Sequence, residues 1–283
     1  MDDKHGLKTL FHFISSKQQI DSEFNEIVLP KKFQLFSITD CLVIAHSKEL
    51  ICTWDIQEQG NGSLITLDAG GLSENLKEIV TVSKIEVIRK IVQTYLNREG
   101  VYVNYLEIEN HPHGLEQVVP LKTNYLEWKM SIFSSRYDYT TWFNCLRWHP
   151  IDTVEIEWNG EDNTVFLEDV ISSARTANIK TRIPLPIQAI MNFKVSILKM
   201  EQEISSDDLL KICGKWLEEG KPVGSSITMN MSNSDIGLLQ TKFGERFSTT
   251  VEVFDQNGFS MFVTSSKSKV PKNLFGDLII VTY

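Results

Sequence analysis

The sequence predicts an α/β (or α+β) protein: an irregular, leucine-rich-repeat-like strand–helix array, with a β-meander near the amino terminus and a β-hairpin near the carboxyl terminus. Three observations predict this class. Short segments with an apolar residue at every second position recur at intervals of about 20 to 40 residues. Two helix start signals are followed by apolar stripes of helical spacing. Turn residues separate short apolar runs near each end of the chain.

The first 70 residues predict one helix and a strand meander. Residues 7–16 place apolar side chains at helical spacing. Four short apolar runs follow, and Gln59–Gly62 has the composition of a turn. The runs are Phe33–Phe36, Cys41–Ile44, Leu50–Ile56 and Ser63–Leu67.

The next predicted helix begins at Ser83. Ser83 and Glu86 have the spacing of a capping box, in which each side chain satisfies the backbone N–H of the other residue. Gly100 follows the apolar stripe and can adopt the left-handed conformation that ends a helix. The stripe consists of Ile85, Ile88, Val92 and Tyr95.

A second helix begins near residues 205–208, because the carboxylates of Asp207 and Asp208 suit the positive end of a helix dipole. Gly220 and Pro222 are typical of its end. Its apolar stripe consists of Leu209, Ile212, Cys213 and Trp216. Two further helices are predicted over Ser135–Leu146 and Thr164–Ala177.

Five alternating segments predict strands with one buried and one polar face. They are Tyr105–Glu109, Tyr125–Lys129, Thr153–Glu157, Lys194–Ile197 and Ser226–Met229. Near the carboxyl terminus, Asp255–Gly258 contains Asn-Gly, which favours a hairpin between two further strands. These strands are Thr249–Phe254 and Phe259–Thr264, and Leu278–Tyr283 is the last strand. No low-complexity linker occurs, so we expect a single domain over residues 1–283, with portions 1–70, 71–232 and 233–283.

Composition restricts the partners. The chain has 28 basic and 37 acidic side chains and a formal net charge of −9, which disfavours nucleic acid and anionic membranes as partners. The apolar runs are far shorter than the ~20 residues that a membrane helix needs, and no signal peptide is recognisable. The cysteines have no C-x-x-C spacing, and we expect Cys41, Cys52, Cys145 and Cys213 to be reduced and buried. The sequence therefore predicts a cytoplasmic or nuclear protein.

No motif predicts catalysis or a cofactor. His111 and His113 could share a metal ion with Glu109, but the intervening proline and the following glycine favour a surface turn. Glu107, Glu109, Glu155 and Glu157 could supply an acid–base pair, but their alternation with apolar residues places them on a solvent face. Cys145 and His149 lack the setting of a nucleophile, and the phosphate-loop and hydrolase motifs are missing. We therefore predict no catalytic, cofactor-binding or metal-binding residues.

Three segments, in order along the chain, resemble a nematode-expanded family of uncharacterised proteins related to the F-box-associated domain. Gly6–Ile20 resembles the first helix and basic turn of that family, and Ile88–Ile108 resembles its central helix-then-strand unit. Lys215–Ser225 is similar to its late W-x-x-x-G-K-x-x-G signature. The resemblance implies an α/β repeat-like fold and a role in protein recognition. A Leu-Pro-opened helical triplet is not apparent, so we expect no F-box.

These observations favour a non-catalytic protein–protein interaction module whose polar strand face binds an unidentified, basic protein partner. Tyrosines offer contact area at low entropic cost, and clustered carboxylates attract basic groups. The expected face comprises Tyr105, Glu107, Glu109, Tyr125, Glu127, Lys129, Thr153, Glu155 and Glu157. Two alternatives stay open: a structural paralogue without a fixed partner, and an enzyme with a deep pocket of titratable groups.

Overall fold

The computed structural model describes residues 3–16, 29–70, 72–130, 140–146, 150–159, 165–166, 168–219, 225–230, 248–253, 259–264 and 278–282. The chain divides into two compact units. The amino-terminal unit comprises Met1–Ile132 and Arg136–Ile151, and the carboxyl-terminal unit comprises Phe133–Ser135 and Asp152–Tyr283. The prediction of a single domain stays a prediction.

The amino-terminal unit contains a mixed sheet in the order β7-β6-β1-β2-β3-β4-β5. Strands β1 to β5 form an antiparallel meander, β6 pairs in parallel with β1, and β7 pairs in parallel with β6. The predicted meander is thus confirmed. The strands are β1 (Lys32–Ile38), β2 (Leu42–His46), β3 (Ile51–Gln59), β4 (Gly62–Ala69), β5 (Leu76–Val80), β6 (Tyr102–Glu109) and β7 (Lys122–Met130).

Two long helices lie against one face of this sheet, which we call the inner face. They are α1 (Asp3–Ser15) and α2 (Lys84–Leu96), and a short helix, α3 (Thr140–Phe143), follows β7. The ring of Phe11 in α1 stacks on Trp54 at 6.1 Å between centroids, and the ring of Tyr95 in α2 meets Phe33 at 6.1 Å. Because all four residues are buried, the core of this unit lies between the helices and the sheet.

The start of α2 confirms half of the capping box. The Glu86 backbone N–H donates to Ser83 Oγ at 3.3 Å. The Glu86 carboxylate accepts from the Ser83 hydroxyl at 3.3 Å, in place of the predicted bond from the Ser83 N–H. Ile85 was expected in the apolar stripe, and this is wrong, because Ile85 is 43% exposed. The buried stripe instead begins at Val87. Gly100 has a φ of 77°, as predicted, although the helix already ends at Leu96.

The carboxyl-terminal unit contains seven described strands in the order β12-β13-β14-β11-β10-β9-β8. Neighbours β8 to β11 are parallel, and a helix joins each successive pair. The strands are β8 (Thr153–Trp158), β9 (Thr176–Thr181), β10 (Ile197–Glu203), β11 (Ser226–Asn230), β12 (Ser248–Val253), β13 (Phe259–Thr264) and β14 (Leu278–Thr282). The helices are α4 (Asp169–Ser172), α5 (Ile187–Met191) and α6 (Ser206–Glu219).

The mixed α/β class is confirmed, and so are the antiparallel pairing of β12 with β13 and the last strand. The turn at Asp255–Gly258 lies outside the described residues. The leucine-rich-repeat likeness is not confirmed, because the joining helices have 4, 5 and 14 residues and no constant repeat length.

The long helix α6 follows the prediction closely. The Asp208 backbone N–H donates to Ser205 Oγ at 3.2 Å, and all four predicted stripe residues are buried. The Lys211 ammonium donates to the Asp208 carboxylate at 2.8 Å. This hydrogen bond and the one from Ser205 lower the pKa of the Asp208 carboxyl group. The predicted end of this helix at Gly220 and Pro222 lies outside the described residues.

Three of the other predicted elements need correction. Lys194–Ile197 is not a strand. It belongs to the irregular connection between α5 and β10, in which Phe193 and Val195 are buried, and β10 starts only at Ile197. The helix over Thr164–Ala177 is reduced to the four residues of α4, and Thr176 already belongs to β9. Of Ser135–Leu146, only Thr140–Phe143 is a described helix.

No helix among the described residues combines the length and the apolar character needed to cross a bilayer. All four cysteines are free. Cys52, Cys145 and Cys213 are buried as predicted, but Cys41 is exposed, since it lies in the turn before β2.

Candidate protein-binding face

Six of the predicted face residues lie in register on β6 and β7. Tyr105 is opposite Tyr125, and their rings stack at 4.5 Å between centroids with an interplanar angle of 11°. Both tyrosines are half-buried. They point away from the inner face, because Leu106 and Leu126, which follow them in each strand, are fully buried. We call this opposite side of the sheet the outer face.

The next positions along these two strands carry charges. Glu107 is opposite Glu127, and Glu109 is opposite Lys129. The Lys129 ammonium lies 3.5 Å from the Glu107 carboxylate and contacts the Glu127 carboxylate closely. Its hydrogen bond to Glu127 raises the pKa of Lys129. Glu127 was expected to be exposed, but only 9% of its surface is accessible, so its charge is held within the face rather than presented to solvent.

The other predicted residues belong to the carboxyl-terminal unit. On β8, Thr153 is opposite Thr176, Glu155 is opposite Asn178, and Glu157 is opposite Lys180 of β9. Their alternation with buried Val154 and Ile156 is confirmed. A continuous face formed by all of the predicted residues stays a prediction.

Sequence reasoning missed the amide groups that border the tyrosines. Asn104 and Asn124 also point outward, since a doubled outward pair interrupts the alternation in both strands. The Asn124 amide donates to Tyr102 Oη at 2.6 Å and to the Asn104 carbonyl at 3.2 Å, and the Tyr102 hydroxyl also donates to Asn104. The signal was visible, because residues 104–107 and 124–127 share the sequence Asn-Tyr-Leu-Glu.

On three further strands, one residue each lies in line with the tyrosine pair. Leu35 of β1 is opposite Tyr105, His46 of β2 is opposite Leu35, and Ile51 of β3 is opposite His46. Ile51 is 51% exposed, and the other members are half-buried. We call these five residues the cross-strand row: Ile51, His46, Leu35, Tyr105 and Tyr125.

His111 and His113 lie in a turn after β6, as predicted. The His113 N–H donates to the His111 carbonyl at 2.8 Å, and the two rings are 5.5 Å apart. Gly114 has a φ of 93°, and a Cβ there would lie 3.0 Å from the backbone of Arg89 in α2. Burial and the neighbouring His111 lower the pKa of His113.

The residue before this turn ties the ends of three strands together. Asn110 is buried and has a φ of 60°, a conformation rarely adopted by residues other than glycine. Its amide donates to Asp40 at 2.8 Å, its N–H donates to the Lys129 carbonyl at 2.6 Å, and its carbonyl accepts from Trp128 Nε1 at 3.1 Å. These contacts give the turn a structural role.

The described residues offer little reactive chemistry. Burial raises the pKa of Cys52 to about 11 and that of Cys145 to about 12, so both thiols are protonated near pH 7 and are poor nucleophiles. Within the described part of the chain, no three His, Cys, Asp or Glu side chains are grouped so that they could hold a metal ion. His149 lies outside the described residues, and the absence of cofactors stays a prediction.

Comparison of the chain with protein-family models, curated proteins and solved structures finds no match. The resemblance to proteins related to the F-box-associated domain therefore stays a prediction.

Proposed function

We propose that this protein is a non-catalytic protein-binding module that uses the outer face of β6 and β7 to bind a partner with basic groups. Glu155 and Glu157 supply further negative charge within the carboxyl-terminal unit. The observation that carries the proposal is the stacked pair of Tyr105 and Tyr125. Tyrosines are enriched among the residues that dominate binding energy, and a stacked pair is already ordered before a partner arrives.

Charge supports a basic partner. Beside the tyrosines lie three carboxylates, those of Glu107, Glu109 and Glu127, and one ammonium, that of Lys129, which contacts Glu107 and Glu127. The whole chain carries a formal net charge of −9, which adds long-range attraction for a cationic surface. Such complementarity mainly speeds association and selects against acidic partners.

The proposal includes a cytosolic or nuclear setting. All four cysteines are free, and three of them are buried thiols, which is typical of proteins that work in reducing compartments. The resemblance to F-box-associated domains agrees with a recognition role by analogy only.

The test is a double charge reversal, Glu107→Lys with Glu155→Lys. Partners are captured from native lysate with the wild-type chain and with the variant, identified by mass spectrometry, and their association rates are measured as a function of salt. We expect the variant to associate about tenfold more slowly and with a flatter salt dependence. Folding should change little, because the Glu107 side chain is 31% exposed and its ion pair with Lys129 is worth at most about 1 kcal/mol.

A matched control makes the same change of charge elsewhere. Glu99 follows α2 and Glu218 lies near the end of α6; both are exposed and neither is on a strand. The Glu99→Lys, Glu218→Lys variant should retain its partners. Equal binding by the wild-type chain and by the Glu107→Lys, Glu155→Lys variant would overturn the proposal.

A further inference from the structure

The cross-strand row runs across the strands rather than along them. Its members are paired successively through β3, β2, β1, β6 and β7. Since neighbouring strands lie about 4.8 Å apart, the four steps from Ile51 to Tyr125 span about 19 Å. The row is therefore a stripe of aliphatic and aromatic side chains about 19 Å long. Leu42 and Ile44 of β2 and Leu64 of β4 lie on the same face, so the apolar surface is broader at that end of the row.

The direction of this stripe restricts the shape of a partner. A partner strand would pair with the edge of the sheet, not with side chains in its middle. An extended segment laid over the stripe would bury its own N–H and C=O groups against apolar side chains without hydrogen-bond partners. A helix satisfies these groups internally, and a helix of about 13 residues has the length of the row.

Where the row crosses β1, β6 and β7, its two flanks carry opposite charges. On the carboxyl side of the parallel strands, Glu107 is the next outward position after Tyr105, and Glu109 follows. On the amino side, Lys32 and Lys122 are the exposed neighbours of Tyr102 in the sheet register. A helix lying on the row would therefore have glutamates on one side and lysines on the other at the end that crosses β1, β6 and β7.

We propose that the cross-strand row binds an amphipathic helix of a partner protein. The helix places its apolar stripe on Ile51, Leu35 and Tyr105, its basic residues over Glu107 and Glu109, and its acidic residues over Lys32 and Lys122. This inference rests on the proposed function and deepens it, because it defines the element that the partner contributes and the order of its charges.

The probe is a pair of randomised 14-residue peptide libraries, displayed on phage and selected against the full chain. One library has a helix-forming background, and the other has a strand-forming background with alternating apolar residues. We expect enrichment only from the helical library. Enriched peptides should have apolar residues at positions i, i+4, i+7 and i+11, Lys or Arg along one flank, and Asp or Glu along the other.

Variants of the chain locate the binding. Ile51→Asp places a charge in the row at a position that is 51% exposed, so folding should be unaffected. Tyr105→Ser removes an anchor and serves as a second, independent variant. Each should weaken binding of an enriched peptide about tenfold or more. The matched control is Ile183→Asp in the carboxyl-terminal unit, at a residue that is 41% exposed, and it should leave affinity unchanged. Exchanging the charged flanks of the peptide should also weaken binding about tenfold.

Three results would overturn the inference: enrichment from the strand library, peptide binding that is insensitive to Ile51→Asp and Tyr105→Ser, or a self-association of the chain that Ile51→Asp abolishes. In the last case a second copy of this chain would be the occupant. None of these results depends on the partners captured from lysate. The proposed function is therefore tested separately, by the response of those partners to the Glu107→Lys, Glu155→Lys variant.

Discussion

Arg98 stabilises the entry into the sheet of the amino-terminal unit. Its guanidinium donates to the Leu29 carbonyl at 2.9 Å, to the Pro30 carbonyl at 2.6 Å and to the Tyr95 carbonyl at 2.7 Å. It thereby connects the end of α2 with the residues that lead into β1. Burial lowers the pKa of Arg98, but an arginine remains charged near neutral pH, and the three carbonyl oxygens replace the water that it has lost.

A net contribution of about 1.5–3 kcal/mol is typical of one hydrogen bond to a charged group, and such contributions are not additive. We therefore expect Arg98→Ala to lower the free energy of unfolding by about 2–4 kcal/mol. Arg98→Lys should recover only part of this, since one ammonium cannot reach carbonyls that the planar guanidinium contacts from two sides.

The assay is urea unfolding followed by circular dichroism, with the slope of the transition checked for constancy. The matched control is Arg89→Ala, within α2. Arg89 forms a single, partly exposed ion pair with Glu116 at 3.1 Å, which is worth at most about 1 kcal/mol. The reasoning would be refuted if Arg98→Ala lowered the free energy of unfolding no more than Arg89→Ala does, or if the Arg98→Lys variant were as stable as the wild-type chain.

Two further outcomes are expected. Trp216, in the apolar stripe of α6, is 1% exposed. Trp216→Ala should therefore lower the free energy of unfolding, measured by urea titration, by about 3–5 kcal/mol. An unchanged unfolding midpoint would contradict the place of Trp216 in the core. A thermal-shift screen with zinc, magnesium, ATP and nicotinamide nucleotides should give no upward shift. A ligand at 100 times its dissociation constant would add about 2.7 kcal/mol to the free energy of unfolding, so a clear rise in Tm would contradict the prediction that no cofactor binds.

Local patterns sufficed where the chain alternates strictly or carries a cap. The strands at residues 105–109, 125–129 and 153–157 were predicted because their apolar positions all face one side. Strands β5 and β9 were missed. In β5, Lys77 and Glu78 interrupt the apolar residues of Leu76–Val80. In β9, one of the two buried apolar residues, Ala177, is small. Both segments form strands because they pair with neighbouring strands, not because of their local pattern.

The candidate face shows the same limit. Alternation predicts that Tyr105 and Glu107 point outward, but it does not predict which strand lies beside them. Leu35 is 70 positions earlier than Tyr105 by the numbering, and only the parallel pairing of β1 with β6 brings the two side chains together. The cross-strand row depends on non-local pairings at two of its four steps, from β1 to β6 and from β6 to β7. The other two steps, from β1 to β2 and from β2 to β3, are antiparallel pairings of strands that follow each other in the chain. A periodic pattern within one segment therefore could not reveal the row.

The position of Lys129 decides which carboxylates a partner would meet. Lys129 contacts Glu127 closely and approaches Glu107 at 3.5 Å, so the nearly buried charge of Glu127 is neutralised within the face. One ammonium against three carboxylates leaves two negative charges, and these lie at Glu107 and Glu109 on β6. Because Tyr105 precedes them on the same strand, β6 carries both an aromatic anchor and the remaining negative charge. In the proposed complex, attraction of a basic flank would therefore be centred on β6, while β7 contributes the second ring of the stack and the internal counterion.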